Sequence, residues 1–282
     1  MTTAQLPALF AELLDDAGLY PPASLDLPQA VRAHAGHRLS WYADLLGPFV
    51  CNAGRLAALD AEVARLAVEP LDVAVVVPDG IAAVTASVEA IASRGRLRLR
   101  SLEVPLGADR LAEAVRVLGP LVERQVTVYV EIPVVRVSER DVHQMCAAGL
   151  RLKLRTGGTT IDAFQTEDEL AAPIVKCAAE LLPFKCTAGL HNAVRHRDVN
   201  NGFEHHGFLN VALAARTAAA TGSLAATSVA LAERDASAVA AAVRALGASG
   251  VAAVRELFAS FGTCSIDEPV ADLISMGLVH AP

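Results

Sequence analysis

The chain has 282 residues, 53% of them hydrophobic, and a formal net charge of -7. No apolar run approaches the roughly 18 to 20 residues that cross a bilayer, and the acidic balance argues against a nucleic-acid partner, whose phosphates draw on clustered Lys and Arg. Five cysteines, Cys51, Cys146, Cys177, Cys186 and Cys264, form an odd set without CxxC spacing; that argues against a disulfide framework or a local zinc knuckle and fits free thiols in a reducing cytoplasm.

The N-terminal "MTTAQLPALFAELLDD" has acidic first charges and no basic segment ahead of an apolar one, so no export leader is expected. A soluble, cytoplasmic protein is the expectation. Residues 1–47 are expected to form an N-terminal helical extension, its helices separated by a turn at the paired prolines of "DDAGLYPPASLDLPQAV". His34 and His37, three apart on one face there, suit packing or surface better than ligation.

Short β-like runs then alternate with alanine-rich helical ones, the pattern of βαβ units around a parallel sheet. The predicted strands are "PFVCNAG" (48–54), "DVAVVVP" (72–78), "LRSLEVP" (99–105), "VTVYVEIP" (126–133), "LRLKLRT" (150–156), "PFKCTAG" (183–189) and "LFASFGT" (257–263). Between them, 108–125 and 167–182 carry apolar residues three and four apart and read as amphipathic helices. The basic "RGRLRLR" (94–100) alternates with leucine and reads as a solvated, ion-paired strand edge.

These seven strands are one short of a (β/α)8 barrel of the TIM type. Either "LAATSVA" (224–230) is a weak seventh strand or the barrel is irregular there. The alternative, a doubly wound open sheet, lacks its Gly-rich phosphate loop: "CNAGRLAALD" holds one glycine. No repeat or long linker divides the chain, so residues 1–282 are taken as a single barrel domain.

Side chains alternate along a strand, one set meeting the helices and the other the barrel interior. In "RLKLR", Leu152 and Leu154 suit the helix layer, which turns Arg151, Lys153 and Arg155 inward. The same parity turns Lys185, Thr187 and, by extension, His191 inward, with Phe184 and Cys186 outward. It also places Asn52, Glu103, Tyr129 and Glu131 inside, and leaves Cys51 outward. Barrel interiors are normally filled by branched apolar residues, so this polar set marks a candidate site at the C-terminal strand ends. The alternative is a set of satisfied internal salt bridges pairing Glu103 or Glu131 with Lys153 or Lys185.

The chain has only three lysines, Lys153, Lys176 and Lys185, against 21 arginines. Two of the three fall on adjacent predicted strands. Neighbouring ammonium groups repel, so each is expected to lower the other's pKa, and a neutral lysine can form a Schiff base with a carbonyl. Arginine cannot, because it stays protonated.

"KLRTGG", followed on the next strand by "KCTAGLH", resembles the lysine pair of the class I deoxyribose-phosphate aldolase group: a Lys-x-x-Thr-Gly strand end, then a Lys-x-x-Gly-Gly end. The resemblance covers about 40 of the 282 residues. It implies a Schiff-base lyase with Lys153 as nucleophile and Lys185 as the group depressing its pKa. That family's proton-relay aspartate pattern is missing here, so Glu131 would serve instead.

After Lys153, "RTGGTT" offers Arg155 for bidentate binding of a carboxylate or phosphate, with Gly157 and Gly158 as an anion nest. The competing reading is a tight turn in which Thr156 or Thr159 caps the next helix. Thr187, Asn52 and Glu103 are further candidate substrate contacts. His191 is a candidate acid or base near a strand end. A rival reading takes His191, His205 and His206 as ligands of a divalent metal such as zinc, with Glu131 as ligand or base, in a metal-dependent hydrolase or lyase. In "SFGTCSIDEPVADL" (260–273), Asp267 or Glu268 caps a helix and Ser260 or Thr263 could reach substrate.

The leading expectation is therefore a carbon–carbon lyase of aldolase type acting on a small carbonyl substrate with a carboxylate or phosphate. It requires no cofactor and has no membrane or nucleic-acid partner. A non-catalytic barrel used as a binding module remains the third reading, and assembly into a homo-oligomer is left open.

Overall fold

The computed structural model describes residues 6–106, 111–199 and 201–282. Within them eight parallel strands close into a barrel. In chain order the barrel strands are β1 (Leu14–Asp16), β2 (Leu46–Asn52), β3 (Leu71–Val76), β4 (Leu97–Pro105), β5 (Thr127–Glu131), β6 (Arg151–Arg155), β7 (Phe184–Thr187) and β10 (Phe258–Thr263). Strands β1 to β7 follow each other around the barrel, and β10 closes it between β7 and β1. The fold class expected from the sequence is the one observed.

The eighth strand is not where the sequence pointed. "LAATSVA" lies in the helix α8 (Leu224–Ala232), started by Ser223, whose side chain accepts from the Ala226 amide. The missing strand is β1, "LDD", inside the segment expected to be only helical. It pairs with β10 through Leu14–Phe261 and with β2 through Leu14–Leu46. The N-terminal extension is corrected accordingly: it supplies a barrel stave, then helix α1 (Leu27–Arg38), whose first turn is fixed by a reciprocal Asp26–Gln29 capping box. Pro21–Pro22, joined by a cis peptide bond, lies in the turn between them.

The expected irregularity after β7 is present as four successive helices where a regular barrel has one helix between its seventh and eighth strands. They are α7 (Phe208–Thr221), α8, α9 (Ala236–Arg244) and α10 (Ala248–Leu257). Asn210 on buried α7 ties this layer together, its Nδ2 donating to the carbonyls of Ala230 and Glu233. Elsewhere strand and helix alternate, with α2 (Leu56–Leu66), α3 (Val84–Ala92), α4 (Leu111–Glu123), α5 (Glu139–Ala147), α6 (Glu167–Glu180) and, after β10, α11 (Asp267–Ser275). The first three residues of the helix expected over 108–125 lie outside the described residues.

The outward faces of the strands pack on these helices in one continuous core that includes Leu102, Val104, Val128, Val130, Leu152, Leu154, Phe184 and Cys186. The inward and outward assignments from strand parity hold on each of these strands. The basic strand edge is an ion-paired one: Arg98 meets Asp72 at 2.7 Å and Arg100 meets Glu12 at 3.0 Å. Among the described residues no single helix is long and apolar enough to cross a membrane.

Candidate active site

A cavity of about 480 Å³ opens at the C-terminal end of the barrel, the end at which barrel enzymes carry their sites. Lys153, Lys185 and Glu103 lie on its floor; Arg155, Thr187 and His191 line it nearer the loops. Lys153 and Lys185 are register partners on β6 and β7 and are 3% and 1% exposed.

The two lysines do not face each other as bare charges, because Glu103 stands between them. Its Oε2 is 2.7 Å from Lys153 Nζ and its Oε1 is 2.5 Å from Lys185 Nζ. Lys153 also meets Glu131 at 2.9 Å, and Glu131 in turn accepts from Arg155 Nε at 2.9 Å. At the other end Lys185 pairs with Asp15 of β1, which also accepts from Ser260 Oγ at 2.9 Å. The result is one chain of six alternating charges, Asp15, Lys185, Glu103, Lys153, Glu131 and Arg155, with as many cations as carboxylates.

This arrangement corrects the expected role of Lys185. Burial works to lower its pKa, but Asp15 and Glu103 outweigh burial and push it above its ordinary value, so Lys185 remains an ammonium. Glu103 is likewise buried, yet Lys153 and then Lys185 hold it down to about 2. Glu131 is lowered against the effect of burial, by Lys153 and then Arg155. Asp15 alone among the carboxylates is raised, by burial that Lys185 only partly offsets. Lys185 thus arrives with its own counter-ions and is not a bare positive charge acting on Lys153.

The remaining sequence candidates separate. Asn52 is no part of the cavity wall; its Oδ1 accepts from Tyr20 Oη at 2.7 Å and so orients that phenol, which does line the cavity. Gly158 lines the cavity, but Gly157 does not. A Cβ on Gly157 would lie 2.8 Å from the Gly189 Cα, so Gly157 is glycine for the close approach of two loops and not for an anion nest. Neither Thr156 nor Thr159 caps the next helix. Thr156 Oγ1 donates to the Ala188 carbonyl at 2.6 Å, and Thr166 caps α6 in a box with Glu169. Arg155 is half-exposed and engages Glu131 through Nε, so an anion would meet its terminal nitrogens.

The histidines do not form the metal set of the rival reading. His206 is buried with both ring nitrogens engaged, Nδ1 by Arg195 at 3.0 Å and Nε2 by the Gln165 carbonyl at 2.9 Å. Arg195 can only donate, so His206 Nε2 carries the proton. Burial, then Arg195, lowers its pKa to about 4, and the ring stays neutral with no free lone pair for a metal. His205 lines the cavity from a short hairpin, β8 (His196–Arg197) and β9 (Glu204–His205), its ring 4.4 Å from that of Phe164. His191 Nδ1 lies 3.1 Å from Glu268 Oε2 and 3.8 Å from Cys264 Sγ, on the far wall. Among the described residues no group of three or more His, Cys, Asp or Glu side chains is placed to hold a metal ion.

Sequence reasoning missed Asp15 and Tyr20. The only signal for Asp15 was a pair of acids set between apolar residues, "LLDDAG", which a three-residue strand makes too short to display an alternating pattern. Compared with known proteins, the chain matches no protein-family model and no curated protein sequence.

Proposed function

We propose that the barrel is an enzyme of carbonyl chemistry, a lyase of aldolase type, in which Lys153 forms a Schiff base with a small anionic aldehyde, ketone or oxo acid. The observation that carries this reading is Lys153 Nζ on the floor of the cavity, with carboxylates at 2.7 and 2.9 Å. Glu131, at the open end of the charge chain, accepts the ammonium proton. The freed nitrogen attacks the carbonyl carbon, and the carbonyl oxygen leaves as water with one proton from the nitrogen and one returned by Glu131, which is then a carboxylate again. The product is an iminium, a cation in the place of a cation, so Glu103 and Glu131 stay neutralised and oppose the charge that the transition state develops.

Arg155 and Thr159 at the mouth suit the substrate's carboxylate or phosphate, while Val50 and Val76 on the opposite wall suit its carbon skeleton. His191, held by Glu268, is the candidate to exchange a proton with the substrate from the loop side. The resemblance of both lysine-bearing strand ends to the deoxyribose-phosphate aldolase group supports the same reading. Lys185 then fixes Glu103 and Asp15 in place.

A second reading is favoured by the completeness of the charge pairing: the chain could serve only as an internal brace in a non-catalytic binding barrel. Exchange of protons next to the carbonyl separates the two. A panel of small aldehydes, ketones and oxo acids, phosphorylated and not, is incubated with protein in deuterated buffer and followed by NMR. Enzyme-dependent exchange that falls by at least about a hundredfold in Lys153→Met is expected. A Lys153→Met protein that exchanges as fast as wild type sinks the Schiff-base reading.

A further inference from the structure

A second cavity, of about 240 Å³, opens at the opposite, N-terminal end of the barrel. Its wall carries Arg151 from the start of β6, Arg255 from the end of α10, and the hydroxyls of Ser101, Thr127, Tyr129 and Ser260. Conserved stability is all that the bottom of a barrel usually needs, and an apolar plug serves it better. Here four hydroxyl groups and three guanidinium groups, Arg100 being the third, converge with the carboxylates of Glu12 and Asp15 instead.

The charges on this wall are not balanced as they are elsewhere. Glu12 is engaged by Arg100 at 3.0 Å and Asp15 by Lys185. Arg151 and Arg255 have no carboxylate within 4.0 Å among the described residues. Arg151 Nη1 donates to the Tyr129 hydroxyl at 3.4 Å, and Arg255 donates to the backbone carbonyls of Ala11 and Phe258 at 2.9 and 3.3 Å. Both are partly buried. In a chain of net charge -7, these two arginines face one cavity outside any ion pair, although Asp15 and Glu12 stand near enough to act on Arg255, and a bound anion would give each a direct partner.

We propose that this mouth is a binding site for a small oxyanion of the phosphate type. Planar guanidinium forks match a phosphate bidentately, and the hydroxyls of Ser101, Thr127 and Tyr129 can donate to its remaining oxygens, whereas that of Ser260 is already given to Asp15. The volume is below the roughly 300 Å³ at which ordinary small-molecule pockets begin, so the ligand is inorganic phosphate or a small phosphomonoester. Occupancy would be felt at the other end of the barrel, because Asp15 lines this cavity while its Oδ2 holds Lys185 on the floor of the upper one. The proposal stands on the lower mouth alone and is independent of Schiff-base chemistry above it.

Inorganic phosphate, titrated at constant ionic strength into 15N-labelled protein, tests it. Saturable shifts of the Ser101, Thr127 and Ala259 amides are expected. Arg151→Gln should raise the dissociation constant read at those amides by at least about tenfold, and Arg255→Lys should raise it also. Arg155→Gln, which alters only the upper mouth, should leave it within about twofold. Absence of saturable shifts at these amides, shifts confined to residues 155–160, or equal affinity in the Arg151→Gln protein would each overturn the proposal. Among the described residues the Arg151 side chain donates to the Tyr129 hydroxyl and to no backbone carbonyl, so its substitution should not be lost to misfolding.

Discussion

The inside of this barrel has two unlike halves. Ala17, Val50 and Ala74, with Tyr20 and Val76 against them, make a small apolar cluster on the side of β2 and β3. Across from it, β4 to β7 and β1 contribute six charges joined end to end. The apolar half follows the ordinary rule for barrel interiors, side chains filling space. The charged half breaks it, and can do so because the charges are contiguous: each buried ion lies beside its opposite, so desolvation is offset locally. The contrast also makes the cavity two-sided, with an apolar wall and a charged one.

Removing single members should reveal how strongly the charged half depends on its order. Lys185→Met leaves Asp15 with only Ser260 and Glu103 with only Lys153, and should cost about 3–5 kcal/mol in urea unfolding. A loss below about 1 kcal/mol would mean that the chain is not held by its pairing.

Acid should produce the next largest effect. Glu103 falls from an ordinary 4.5 to about 2 in the folded protein, so its contribution is complete above pH 4.5 and is lost as the pH drops through 2. The shift corresponds to about 3 kcal/mol. Asp15 is shifted upward and acts in the opposite direction, which is why the informative quantity is a difference. Wild-type stability should fall more steeply than that of Glu103→Gln across this acid range, and parallel curves would refute the pairing of Glu103 with both lysines.

Lys153→Met should cost less than Lys185→Met, about 2 kcal/mol, because Glu103 keeps Lys185 and Glu131 keeps Arg155. The reverse order would place the weak point of the chain at the wrong lysine. Smallest of all, Val50→Ala in the apolar half should cost about 1.5 kcal/mol from lost burial. Its dependence on acid should match wild type; a changed profile would mean that the two halves are coupled.

Much of the charged half was legible because strand parity is a two-valued question. Once Leu152 and Leu154 are assigned to the helix layer, Lys153 and Arg155 have nowhere to go but inward, and neighbouring strands repeat the logic. Two things were not legible. Parity says which side a residue faces but not which pairing prevails: repelling lysines and salt bridges to Glu103 or Glu131 were both open, and the salt bridges are what forms, with Glu103, from β4, between the lysines. And β1 is only three residues long. Asp15 turns inward to Lys185 while Asp16 turns outward to buried His34 at 2.9 Å, a division that "LDD" does not announce. The four-helix connection after β7 hid the strand count in the same way, since the search for an eighth strand fell on helix α8.

The central claim is that Lys153 is the nucleophile, and borohydride trapping tests it most directly. Protein is incubated with the carbonyl panel, reduced, digested and mapped by mass spectrometry. With only Lys153, Lys176 and Lys185 in the sequence, the assignment is unambiguous. A borohydride-dependent adduct on Lys153, absent from Lys153→Met, is the expected result. An adduct confined to Lys185 or Lys176, or no adduct anywhere across the panel with both interior lysines unmodified, would contradict the account.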